Sequence, residues 1–157
     1  MDSRIVKQSA FAIVGIAVRT TNQDGRAQKD IGALWERFFR ENVAGRIAER
    51  QSPGIYCVYT DYDSDFQGPY TTLLGYRVTS LDNIPEGLTG KMIPAYSYRL
   101  FVTKGKIPEA LVATWMKIWQ TCGDRAYVAD FDIYGPDDGD PQAATVETYV
   151  SVKLTVD

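Results

Sequence analysis

The segment Tyr127–Tyr134 carries two carboxylates, Asp130 and Asp132, followed by Tyr134. In an extended strand the side chains alternate between faces. Val128, Asp130, Asp132 and Tyr134 then share one face, while Tyr127, Ala129, Phe131 and Ile133 share the other, apolar one. The polar face could simply be solvated. Alternatively, one carboxylate lies at the bottom of an aromatic cleft, where it would pair with a cationic ligand, since an unpaired buried carboxylate is costly. Rings would supply the rest of such a site, each holding a cation over its face for roughly 0.5–2 kcal/mol. The candidates are Trp35, Phe39, Tyr59, Tyr76, Tyr96, Trp115 and Trp119. For any one of them core packing is the commoner role, and the helix tryptophans can do both, packing on one edge and lining the cleft with the other.

Other chemistries lack their residues. The chain has no histidine, which excludes Ser-His and Cys-His dyads and imidazole ligation of zinc. No phosphate-cradling glycine motif occurs. The acidic stretches Asp61–Asp65 and Asp137–Asp140 do not match the calcium loop with its closing Glu and read as hairpin tips. No metal or cofactor is expected. Cys57 and Cys122 read as small packed residues. The net charge of −3 and the scattered Lys and Arg give no basic stripe for nucleic acid. Ten Tyr beside three Trp and six Phe are a more specific signal, because an amphipathic ring suits an apolar surface that must also hydrogen-bond. Met1–Ala10 has no apolar signal core, and no stretch is long enough to span a membrane, so a cytoplasmic protein is expected.

The elements that must position these residues recur. Ala10–Val18 reads as a strand. Asp30 is a candidate cap for a helix whose apolar face is Ile31, Leu34, Trp35, Phe38 and Phe39. Ile55–Tyr62 and Tyr70–Thr79 read as a hairpin. Asp82–Gly90, with Pro85, Gly87 and Gly90, reads as a linker. The order then repeats: a strand at Ala95–Thr103, a helix after Pro108 with Leu111, Val112, Trp115, Ile118 and Trp119 on its apolar face, and strands at Arg125–Tyr134 and Ala144–Leu154. Leu34, Trp35, Phe38 and Phe39 parallel Thr114, Trp115, Ile118 and Trp119. The expectation is a single α+β domain over residues 1–157. Pseudo-repeats at about 10–80 and 92–155, each β-α-β-β, would form one antiparallel sheet with two helices and a cleft between the repeats.

Four stretches taken in order resemble a known family. They are Leu34-Trp35-Glu36-Arg37-Phe38, the run Gly54–Asp65 with Tyr70 and Gly75 beyond it, Ile93-Pro94-Ala95-Tyr96 with Trp115–Trp119, and Asp130-Phe131-Asp132-Ile133-Tyr134 with Val146–Val150. The chain resembles the GyrI-like, or AraC-type effector-binding, domains, and within them the stand-alone integron-cassette effector-binding proteins. The resemblance implies a pseudo-twofold axis, a ligand cleft between the repeats and recognition of small hydrophobic, often cationic compounds. It matches Asp132 to the family's acidic residue, usually a Glu one methylene longer, and Trp35 to the tryptophan of the first helix. Relatives often carry a DNA-binding helix-turn-helix. Only about ten residues precede the first strand here, so direct nucleic-acid binding is not expected. Two alternatives stay open by analogy with similar proteins: a small-molecule hydrolase using Asp132 or Glu36 as base with help from Tyr134, and a protein-binding inhibitor.

Overall fold

The computed structural model describes residues 3–106, 109–135 and 144–153. Pro108 and the acidic loop 137–140 lie outside the described residues. The strands are β1 (Ser3–Gln8), β2 (Phe11–Thr21), β3 (Ile55–Thr60), β4 (Pro69–Val78), β5 (Thr89–Ile93), β6 (Tyr96–Gly105), β7 (Arg125–Tyr134) and β8 (Ala144–Val152). The helices are α1 (Arg26–Arg40), the single turn α2 (Val43–Arg46) and α3 (Glu109–Thr121). All strands join one antiparallel sheet in the order β1-β6-β8-β7-β3-β4-β2-β5. This is the expected α+β class. Outward from the central β7–β3 junction, one half reads β3, β4, β2, β5 and the other reads β7, β8, β6, β1.

The connections force this sheet to curl. Only Ser9 and Ala10 separate β1 from β2, and only Pro94 and Ala95 separate β5 from β6. Each link reaches about 11 Å at most. In a flat sheet β1 and β2 would stand six strand spacings apart, roughly 29 Å. The two ends of the sheet are therefore brought together. The concave face is filled by Phe11, Ile13, Tyr56, Val58, Leu73, Ile93, Tyr98, Leu100, Phe131 and Tyr149, with Val6 of β1 packed against them. Phe11 of β2 meets Phe131 of β7 edge-on at 5.2 Å although two strands lie between them in the sheet. At the β2–β4 crossing Gly15 faces Gly75. A Cβ on either would sit 2.0 Å from a carbonyl oxygen of the opposite strand, so neither position admits a side chain.

The helices cover the other, convex face. α1 packs on β2 and β4 and α3 on β6, one on each flank of the sheet. Position by position, the two helices bury the same pattern: Leu34 and Phe38 match Thr114 and Ile118 as buried, Trp35 and Trp115 are half-buried, and Phe39 and Trp119 are exposed. The central strip of β3 and β7 lies between the helices.

Four features differ from the sequence expectations. Thr89 and Gly90, expected at the end of the linker, instead open strand β5, and Ser3–Gln8 is an unforeseen edge strand. Neither shows an apolar run, because each lies at an edge of the sheet. α1 begins four residues before Asp30, after Gly25 at φ 70°, and Asp30 instead accepts a hydrogen bond from Thr20 at 2.8 Å. Tyr127 departs from strand parity. Its φ is 55°, and residues 126–129 form a bulge opposite Ser151 of β8. The bulge turns Tyr127 toward the helix side, where its ring meets Tyr62 at 5.4 Å.

Candidate functional site

Both carboxylates of β7 face the helices and both are fully buried. Their partners differ. Asp130 pairs with Arg125 at 2.8 Å and accepts from Tyr62 Oη at 2.5 Å, and from Ser151 N at 2.7 Å and Oγ at 3.1 Å. Residues five apart on a regular strand point to opposite faces, so this ion pair exists only because the bulge restores Arg125 to the side of Asp130. The guanidinium lies over the rings of Trp115, 5.6 Å from its centroid, and of Tyr127, 4.4 Å from its centroid.

Asp132 has three neutral donors and, among the described residues, no cation. Tyr59 Oη donates at 2.8 Å, Thr148 Oγ1 at 2.5 Å, and Trp115 Nε1 at 3.2 Å to each carboxylate oxygen. Thr148 faces it from the neighbouring strand, and Cys57 from β3. Burial pushes the Asp132 carboxyl up to about 6 against the pull of these donors. Burial likewise raises the Tyr59 and Tyr134 hydroxyls well above their ordinary range, so both stay neutral. The Cys57 thiol is also raised by burial and is unreactive, and both cysteines are free.

The rings come from both flanks. Trp35 of α1 meets Tyr134 edge-on at 4.9 Å, and Trp115 of α3 meets Tyr59 edge-on at 5.4 Å. The structure thus gathers Asp132, Tyr134, Trp35, Tyr59 and Trp115 on the central strip. Phe39 stacks on Trp35 at 5.9 Å and is 65% exposed, at the rim of the cluster. Trp119 stacks on Phe66 of the β3–β4 loop, one turn beyond Trp115. Two candidates are placed elsewhere. Tyr76 is buried beneath α1 against Phe38, with Arg50 over its ring at 4.8 Å. Tyr96 packs on the concave side and lines a surface depression of about 450 Å³ with Lys7, Gln8 and Ser97. Glu36 is exposed on α1.

Sequence reasoning missed Thr148, Arg125 and Tyr62. Thr148 was legible only with the β7–β8 register in hand. Arg125 was hidden by the bulge, which no local pattern announces.

The sequence matches the family described as integron-associated effector binding protein, Cass2, over residues 4–152. The chain belongs to this Cass2 family. It is 27% identical over 156 residues to the putative transcriptional regulator protein YobU of Bacillus subtilis, covering 96% of this chain and 98% of that one. The integron cassette protein VCH_CASS2 of Vibrio cholerae has the same fold, with a TM-score of 0.76 at 26% identity over 96% of this chain and 95% of that one. SAV2435, in a structure bound to tetraphenylphosphonium, shares the fold with a TM-score of 0.79 at 20% identity over 98% and 94% of the two chains.

Proposed function

We propose that this Cass2-family protein binds a lipophilic organic cation between α1 and α3, with Asp132 as its charge partner and Trp35, Tyr59, Trp115 and Tyr134 as its walls. Phe39 and Trp119 would extend the wall outward. The observation that carries this reading is a fully buried carboxylate met, among the described residues, by neutral donors alone, two of them the aromatic side chains of Tyr59 and Trp115. Removing a charge from water without a countercharge costs several kcal/mol, and a bound cation would recover much of that cost. The ligand of SAV2435, a lipophilic cation, supports the class of compound.

Entry would require the indole of Trp115 to swing off the carboxylate, exchanging an N–H donor for a full positive charge. The same reading takes the chain as one effector-binding unit of two repeats, about 10–80 and 92–155, which the mirrored sheet order and matched helix burial support.

The test is thermal shift and tryptophan fluorescence with tetraphenylphosphonium on the wild type and Asp132→Asn. Stabilisation of about 2.7 kcal/mol is expected at roughly 100-fold excess over Kd, with quenching, and both are lost in the variant. Affinity should rise with pH through about 6 as the carboxyl ionises. An equal response from Asp132→Asn, or no response to any lipophilic cation, overturns the charge-pairing reading.

A further inference from the structure

Arg125 is buried to 4% exposure yet uses only part of its hydrogen-bonding capacity. Its Nη2 donates to Asp130, while Nε and Nη1 find no acceptor among the described residues. A buried guanidinium normally has its in-plane donors satisfied, because an unmet buried donor is costly. The guanidinium carbon lies over the Trp115 ring at 5.6 Å and over the Tyr127 ring at 4.4 Å. Trp115 is shared with the carboxylate site: its Nε1 donates to Asp132 while its ring lies against Arg125. This one indole therefore touches both charged groups.

We propose that Arg125 is the second pole of the site and takes a neutral oxygen acceptor (a carbonyl, amide or ether) carried by the same ligand that presents its cation to Asp132. This rests on the cation reading of Asp132. The spacing follows from the strand: Asp130 and Asp132 are two residues apart on one face, about 7 Å, and Arg125 is held by Asp130. The ligand's cationic centre and acceptor are separated by a similar distance. Charge decides the kind of acceptor. Two buried carboxylates stand against one guanidinium, so a single ligand cation neutralises the site. A ligand carboxylate at Arg125 would leave one negative charge buried and uncompensated.

The experiment is isothermal titration calorimetry at pH 8 with three alkyl triphenylphosphonium probes of equal chain length. Their chains end in an N,N-dimethylamide, a branched hydrocarbon or a carboxylate. The proteins are the wild type, the charge-neutral double variant Arg125→Gln with Asp130→Asn, and Arg125→Lys. The last keeps a cation beside Asp130 without the planar fork, and carries the test should the double variant fail to fold. The wild type should bind the amide about tenfold tighter than the hydrocarbon, the size of one net hydrogen bond to a charged group, and the carboxylate no tighter than the hydrocarbon. Both variants should lose the preference of amide over hydrocarbon. If the wild type binds the two equally, or if the folded variants keep the preference, Arg125 is not an acceptor pole although Asp132 still holds the cation. Tightest binding of the carboxylate probe overturns the neutral-acceptor assignment. If the hydrocarbon probe does not bind the wild type at all, the cation reading falls, and this inference falls with it.

Discussion

Two aspartates two residues apart, on the same face of the same strand and equally buried, have opposite electrostatic situations. Asp130 is compensated by Arg125, whereas Asp132 meets, among the described residues, only dipoles. The difference has a measurable consequence for stability. The Asp132 carboxyl lies at about 6 in the folded chain against about 3.9 when unfolded. Between those values the native state holds the extra proton, so stability falls as pH rises from about 4 to about 6, and the penalty is complete above that range. Two pKa units correspond to about 3 kcal/mol. Asp132→Asn should therefore be more stable than the wild type at pH 7.5 by about 2 kcal/mol, somewhat less because the new amide replaces an acceptor with a donor. The gain should vanish near pH 4. Urea unfolding of both proteins at the two pH values measures it; a variant less stable at both would mean the carboxylate is a net stabiliser. Asp130→Asn should behave in the opposite way, losing about 3–5 kcal/mol, because it strands the buried Arg125 charge.

At the level of the elements, the site depends on how strands approach and where they bulge. The helices place their rings by simple spacing: a Trp followed by apolar residues three and four positions on puts Trp35 and Trp115 beside the buried stripe. The strands need more particular devices. The bulge at 126–129 brings Arg125 under Trp115 and turns Tyr127 over it. The Gly15–Gly75 pair lets β2 and β4 cross closely beneath α1. Gly75→Ala should accordingly cost about 3 kcal/mol or more, because a Cβ at 2.0 Å from Val14 O cannot be relieved by rotating a side chain. Gly32→Ala on α1, where a Cβ meets nothing within 4 Å, is the control and should be neutral or slightly stabilising. Thermal unfolding of the pair separates close approach from a general intolerance of change.

For the whole molecule, the curl of the sheet divides the work between its faces. The concave face, closed by β1 and β5 from opposite ends, holds the larger aromatic core, and the convex face spreads the helices and leaves β3 and β7 as a strip for the site. Deleting residues 1–8 should then cost far more than a short, mostly exposed edge strand suggests. It uncovers the fully buried Tyr98, and a loss of about 3 kcal/mol would lower Tm by roughly 6–12 °C. An unchanged Tm in differential scanning calorimetry would show that the core closes without β1. Along the chain, local patterns were sufficient for eight of these features of order: the helices at Trp35 and Trp115, the strands β2, β3, β4, β6, β7 and β8 to within a few residues, and with them the α+β class. Alternation along β7 was sufficient to put Asp130, Asp132 and Tyr134 on one face, because parity is a property of neighbouring residues. It did not choose between the two aspartates. That choice lies with Arg125, Thr148, Tyr59 and Trp115, which come from the far side of a bulge, from β8, from β3 and from α3. Nor did it separate Tyr76 and Tyr96 from the tyrosines around Asp132, since an aromatic residue carries the same local pattern in a core and in a cleft. Periodicity belongs to the sequence alone; compensation of a buried charge depends on which distant side chains the tertiary fold brings within about 3 Å of it.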